Sequence, residues 1–140
     1  MKTFLLTLTL AITVMMNSAS AADDIIPLKD GDRVVFLGDS ITQAGGRPNG
    51  YVTLFKNQVA EKLKGKKIEV INAGISGHKV PNLQARLDKD VLAKDPTVVI
   101  IYIGINDVWH SQNGRGTPVD KYEEGLIDLI NRIRAKEASV

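Results

Sequence analysis

Thr-Val-Val-Ile-Ile-Tyr-Ile, residues 97–103, is an apolar run that is β-branched almost throughout. A strand with one wet face alternates apolar and polar residues. A continuous run fits a strand covered on both faces, as in a parallel sheet lying between layers of helices. Residues 33–37 contain a second such run, Val-Val-Phe-Leu, and residues 68–71 a shorter and more mixed third. Between the strands, Tyr51, Phe55, Val59 and Leu63 recur every four residues, and Val80, Leu83, Leu87 and Val91 follow the helical period. Each set gives a helix one apolar face. Asn49 is the expected N-cap of the first helix and Gly65 its stop. Pro81 is tolerable in the first turn of the second. Thr117-Pro118-Val119-Asp120 opens a third helix, with Thr as N-cap, Pro at the first position and an acid in the first turn. Tyr122, Leu126, Leu129, Ile130 and Ile133 supply its stripe. The order β-α-β-α-β-α predicts an α/β fold, a three-layer, doubly wound parallel sheet whose right-handed crossovers set the strands side by side.

Each strand is followed by a polar motif: Gly38-Asp39-Ser40, Asn72-Ala73-Gly74-Ile75-Ser76-Gly77, and Gly104-Ile105-Asn106-Asp107. In such a sheet the ligand crevice lies outside the carboxyl ends of the strands, so the three motifs are expected to meet there. Ser40 offers a hydroxyl nucleophile and an N–H aimed at an anion. Gly77 lets backbone approach a substrate closely and offers a second N–H. Asn106 offers a neutral carboxamide donor, suited to a developing oxyanion. Taken singly, each has a plain alternative: a cap serine, a left-handed turn glycine, an Asx-turn asparagine. Together and in order they form the equipment for acyl transfer. Asp39 and Asp107 are expected to brace turns by local hydrogen bonds. Neither belongs to a cluster with metal-ligand spacing, and the nucleotide signatures Gly-x-Gly-x-x-Gly and the Walker lysine loop are missing.

The 140 residues suit one domain, and 44% apolar content with a net charge of +2 describes a globular chain rather than a disordered or nucleic-acid-binding one. Gly45, Gly46 and Pro48 suggest a loop after Ser40, and residues 111–116 another. There is no cysteine, which excludes disulfides and cysteine lipidation. At the start stand Lys2, an apolar run over residues 4–16, and small residues before a cut after Ala21. This is the pattern of a secretory signal peptide, its run well short of the about 20 residues needed to span a bilayer. The expected division is a signal peptide over residues 1–21 and a mature chain over 22–140, periplasmic or secreted, with no stable membrane anchor.

Phe-Leu-Gly-Asp-Ser-Ile-Thr-Gln, residues 36–43, resembles the first block of the GDSL, or SGNH, hydrolases. Ile-Asn-Ala-Gly-Ile-Ser-Gly, residues 71–77, resembles the second block, and Gly-Ile-Asn-Asp, residues 104–107, the third. The resemblance implies a flavodoxin-like sheet, esterase or lipase-like activity with no metal or cofactor, Ser40 as nucleophile, and an oxyanion hole formed by the Ser40 N–H, the Gly77 N–H and the Asn106 side chain. The family's last block, Asp-x-x-His, supplies the base and the acid that orients it, and it has no counterpart here. A serine hydroxyl is a poor nucleophile without an adjacent base. The two histidines, His78 beside Gly77 and His110 beside Trp109, read as loop residues that lack the base-to-nucleophile geometry. Residues 22–140 are therefore expected to be the N-terminal part of one hydrolase domain, cut before its last strands. The base would lie beyond Val140, and about 60 further residues would complete the sheet. The expected function is an exported serine esterase acting through an acyl-enzyme on small-molecule or carbohydrate esters, such as O-acetyl groups. The alternative is a noncatalytic, carbohydrate-binding or otherwise degenerate relative that keeps the cleft but lacks the base.

Overall fold

The computed structural model describes residues 27–140, so the expected signal peptide lies outside the described residues. Three strands, β1 (Arg33–Gly38), β2 (Glu69–Gly74) and β3 (Val98–Tyr102), form one parallel sheet in the order β2-β1-β3. The central strand is the most deeply buried: after Arg33, Val34, Val35 and Leu37 are fully buried and Phe36 nearly so. Side chains alternate between faces along a strand, and this divides the core in two. Val35 and Leu37 pack with Val99 against α3 (Val80–Asp90) and α5 (Val119–Arg134), through Val80, Leu83, Leu87, Leu129 and Ile133. Val34 and Phe36 face the other way, against Val52 and Phe55 of α2 (Tyr51–Lys62). The helices thus lie on both faces, which is the expected doubly wound arrangement.

Several local expectations are corrected. The Gly- and Pro-containing stretch after Asp39 begins as a short helix, α1 (Ser40–Gly45). Gly50, not Asn49, caps α2, and Asn49 takes φ +66° instead. Helix α2 stops at Lys62, ahead of Gly65. A helical turn, α4 (Ile105–Trp109), carries Asn106. Thr117 is not a cap: Pro118 precedes α5, and the Thr117 hydroxyl is buried without a partner. Its backbone N–H is drawn instead to the Asp107 carbonyl (3.1 Å).

The chain does not run on in its last helix to Val140. Helix α5 ends at Arg134, Glu137 reverses the chain at φ +60°, and Ser139 forms a parallel bridge with Val98. The Ser139 N–H donates to Thr97 O (3.0 Å), and its carbonyl accepts from the Val99 N–H (2.8 Å). The cause is the outer edge of β3, whose backbone groups need partners and find them in these residues.

Two glycines decide how close α1 sits to the sheet. Gly38 and Gly74 are in register at the carboxyl ends of β1 and β2. A Cβ on Gly38 would overlap the Thr42 hydroxyl, and one on Gly74 would overlap the backbone nitrogen of Gln43. Their missing side chains let the first turn of α1 lie directly on the strand ends. Gly74→Ala should therefore destabilise the protein by about 1–3 kcal/mol, as for overpacking elsewhere. The expected signature is a lower urea midpoint at unchanged slope.

Candidate active site

Asp39 is almost fully buried, at 1% exposure, and its Oδ1 accepts the Ile41 N–H (2.9 Å), which caps α1. Ser40 is thereby the first residue of that helix, partly exposed at the carboxyl edge of β1. Asn106, at 6% exposure, lies in the first turn of α4 after β3. Its Nδ2 donates to the His78 carbonyl (3.0 Å) and to Asp39 Oδ2 (3.4 Å). One carboxamide therefore joins the residue before Ser40 to the residue after Gly77. Gly77 sits in a turn closed by the His78 N–H on Ile75 O (3.4 Å), at φ +76°, with open space where a side chain would be. The Ile75 N–H donates to Gly38 O (3.1 Å), which moors this turn to the end of β1. The three motifs thus come together at the carboxyl edge of the sheet, tied through the neighbours of Ser40 and Gly77.

The two acids brace the site differently. Asp39 braces its own turn through Oδ1, as expected, and also reaches Asn106 through Oδ2, which was not. Asp107, at 2% exposure, reaches across the fold: its Oδ1 accepts the Val80 N–H (3.1 Å) at the start of α3, while its Oδ2 is buried without a partner. Asn72, of the second motif, donates to Thr42 O (2.7 Å) and accepts the Gly74 N–H (2.9 Å), which ties α1 to β2. The Tyr51 hydroxyl donates to Thr42 Oγ1 (2.8 Å).

Sequence reasoning missed Arg86. Its Nη2 donates to Gly38 O (2.9 Å), its Nε to His78 Nδ1 (3.1 Å), and its Nη1 pairs with Asp90 (3.2 Å). In the sequence, Arg86 and Asp90 look like an ordinary exposed helix pair four apart. Nothing local indicates that the guanidinium turns inward. Its donation to Nδ1 fixes the neutral His78 tautomer with the proton on Nε2, so neither ring nitrogen has a free lone pair. Burial lowers the His78 pKa below its ordinary 6.5, the Arg86 charge lowers it further, and Asp90 opposes them. His110 begins the 3-10 turn after α4. Among the described residues, no histidine hydrogen-bonds the Ser40 hydroxyl.

Beside Asp39 lies a cavity of about 320 Å³ lined by Ile41, Tyr102, Ile105 and Val108. Its lining includes Asp39 and Ile105, the chain neighbours of Ser40 and Asn106, whereas three larger clefts, of about 580, 520 and 620 Å³, contain neither the three motif residues nor these neighbours. Position relative to the three motifs, rather than volume, selects the small cavity. Among the described residues, no three His, Asp or Glu side chains are placed to hold a metal ion.

Residues 36–140 match the GDSL-like lipase/acylhydrolase family. Over 116 residues the chain is 36% identical to an acetylxylan esterase of Geobacillus stearothermophilus, a match covering 71% of this chain and 53% of that protein. It is 31% identical over 99 residues to an isoamyl acetate-hydrolyzing esterase of Schizosaccharomyces pombe, covering 70% of this chain and 38% of that one. The crystal structure of an acetyl xylan esterase, AlAXEase, superposes with a TM-score of 0.71 at 42% identity, over 76% of this chain and 54% of that chain. The chain spans about half the length of the acetylxylan esterase it matches.

The His78 environment has a pH consequence. Because the folded pKa lies below 6.5, the unfolded chain takes up the proton first as pH falls. Stability from this group is complete above about pH 6.5 and declines beneath it. The urea midpoint should fall on going from about pH 7 to pH 5.5, and fall less in His78→Gln, which removes the titrating ring.

Proposed function

The chain belongs to the GDSL-like lipase/acylhydrolase family, and we propose that it provides the nucleophile and the oxyanion hole of a serine ester hydrolase acting on small acyl esters, with acetyl esters of carbohydrates as the leading class. The observation that carries this reading is the Asn106 carboxamide bonded to Asp39 on one side and His78 on the other. The Ser40 Oγ attacks the ester carbonyl, and the tetrahedral oxyanion is received by the Ser40 N–H, the Gly77 N–H and Asn106 Nδ2. The alcohol leaves with a proton, and water then releases the acid from the acyl-serine. Of the two Asn106 donations, the 3.4 Å bond to Asp39 is the weaker and is the N–H an oxyanion can take over. The 3.0 Å bond to His78 O keeps the carboxamide oriented meanwhile.

The base that takes the Ser40 proton is assigned to an Asp-x-x-His segment following Val140. Residues 22–140 are in this reading the first part of one hydrolase domain. The acyl preference draws on two observations. The cavity beside Asp39 is small and apolar, and the two named relatives, one acting on acetylxylan and one on isoamyl acetate, share an acetyl group while their alcohols differ. Tyr102 and Trp109, at 52% and 64% exposure near the same edge, offer aromatic faces to a sugar ring. The leader-like residues 1–21 support export to the periplasm or beyond. Among the described residues no helix is long and apolar enough to cross a membrane. The competing reading, a carbohydrate-binding protein without chemistry, draws on the lack of a base-competent histidine among the described residues.

The test is turnover of p-nitrophenyl acetate and acetylated xylo-oligosaccharides by the complete gene product. Ser40→Ala should lower kcat by about 10⁴-fold or more, and full retention of rate would end the serine mechanism. Carbohydrate binding with no turnover in the wild type would establish the competing reading. Asn106→Ala should lower kcat by about 10²–10³-fold with KM little changed, the behaviour of a donor that acts mainly in the transition state. Residues 22–140 alone should give little turnover.

A further inference from the structure

We propose that Arg86 is a positioning residue of this site, holding the strand end that carries Ser40 and the turn that carries Gly77 in fixed relation. The inference rests on the oxyanion role assigned above to the Gly77 N–H. Gly77 is exposed, has no Cβ, and has nothing within 4 Å of where a Cβ would stand. No packing of its own sets the direction of its N–H, so that direction depends on what moors the turn over residues 75–78. Three ties do so. The Ile75 N–H is held by Gly38 O at the end of β1 (3.1 Å), the His78 carbonyl by Asn106 (3.0 Å), and the His78 ring by Arg86 (3.1 Å).

Arg86 serves two of the parts that must keep register. Its Nη2 donates to Gly38 O (2.9 Å), the same carbonyl that receives Ile75, so both acceptor positions of that oxygen are occupied. This carbonyl lies two residues before Ser40. Its Nε holds the ring of the residue after Gly77. Asp90 takes Nη1 (3.2 Å), so all three guanidinium nitrogens are engaged, and the side chain is only 10% exposed. A planar fork with five donors can hold these three directions at once, and an ammonium on a flexible stem cannot. The charged groups facing the His78 ring are Arg86 and Asp90, both on α3.

The experiment uses Arg86→Lys, Arg86→Gln and His78→Gln in the complete gene product, with kcat and KM for p-nitrophenyl acetate, the NMR titration of His78, and thermal melts to count folded enzyme. Arg86→Lys keeps the charge and loses the fork. It should lower kcat per folded molecule by about tenfold to a hundredfold, the scale of a small misplacement. KM should change little, and the His78 titration should stay depressed. Arg86→Gln should lose kcat similarly and raise the His78 titration, since the cation that adds to burial in lowering it is gone while Asp90 stays. His78→Gln leaves the ties to Gly38 and Asp90 and cuts only the one to the turn, so it reports even if Arg86→Gln fails to fold; it too should lower kcat. Normal kcat per folded molecule in Arg86→Lys and His78→Gln, with stability alone reduced, would overturn the positioning role. The failure of the underlying serine reading is seen separately, as turnover that survives Ser40→Ala.

Discussion

A strand buried on both faces has no position for a polar side chain except at its ends. The four residues Val34 to Leu37 meet this condition at the centre of the sheet, and the first residues free of it are Gly38, Asp39 and Ser40. Its neighbours are only partly covered, but β2 and β3 end level with β1, Gly38 lying beside Gly74 on one side and Tyr102 on the other. Polar chemistry therefore collects along one edge, where it can be dense without disturbing either core. Gly38 and Gly74 add the second condition. With no Cβ on either, α1 comes down onto the strand ends, and Asp39 can cap that helix while its other oxygen faces Asn106.

The parts of this arrangement that depend on burial were legible in the sequence. Burial leaves a periodic trace: Val80, Leu83, Leu87 and Val91 are all fully buried as their spacing requires, and so are Leu129 and Ile133, whereas in α2 the buried residue is Val52 and the expected stripe of Tyr51, Phe55, Val59 and Leu63 is only partly covered. The parts set by a single polar contact were not. Helix α1 exists because Asp39 turns back to the Ile41 N–H and because two glycines make room; neither fact has a period. Thr117 looks like a cap because it stands before Pro118, yet the Asp107 carbonyl takes its N–H, and its hydroxyl makes no bond. The pairing of Ser139 with β3 follows from the needs of an edge strand, and three residues carry no strand pattern of their own. At the site, Ser40, Gly77 and Asn106 were legible as motif residues at strand ends. Arg86 was not, because its partners are a backbone carbonyl 48 residues away and a ring eight away.

Asp39 also shows how a buried acid can be held by amide donors. Its two oxygens accept the Ile41 N–H (2.9 Å) and, more weakly, the Asn106 carboxamide (3.4 Å). The Asn106 carboxamide thereby shares its two hydrogens between a carboxylate and a peptide carbonyl. It is oriented before any substrate arrives, which is the property that makes electrostatic stabilisation of an oxyanion effective, since no dipole has to be reorganised during reaction.

The surroundings of His78 argue for a division of labour across the edge. A histidine that serves as general base must receive a proton, and its imidazolium is stabilised when the other ring nitrogen faces an anion. At His78 the other nitrogen faces a guanidinium, which together with burial holds the ring neutral. The ring is thus fixed as a spacer between α3 and the Gly77 turn, and the cation that makes it useful there also disqualifies it as a base. Donors for an oxyanion and an acceptor for a proton need opposite electrostatic surroundings. In the proposed esterase reading, residues 75–86 supply the first kind, through amides and a cation held close to the turn. In the same reading a base for Ser40 requires the second kind, a ring backed by a carboxylate, which His78, with its Nδ1 on a guanidinium, does not offer.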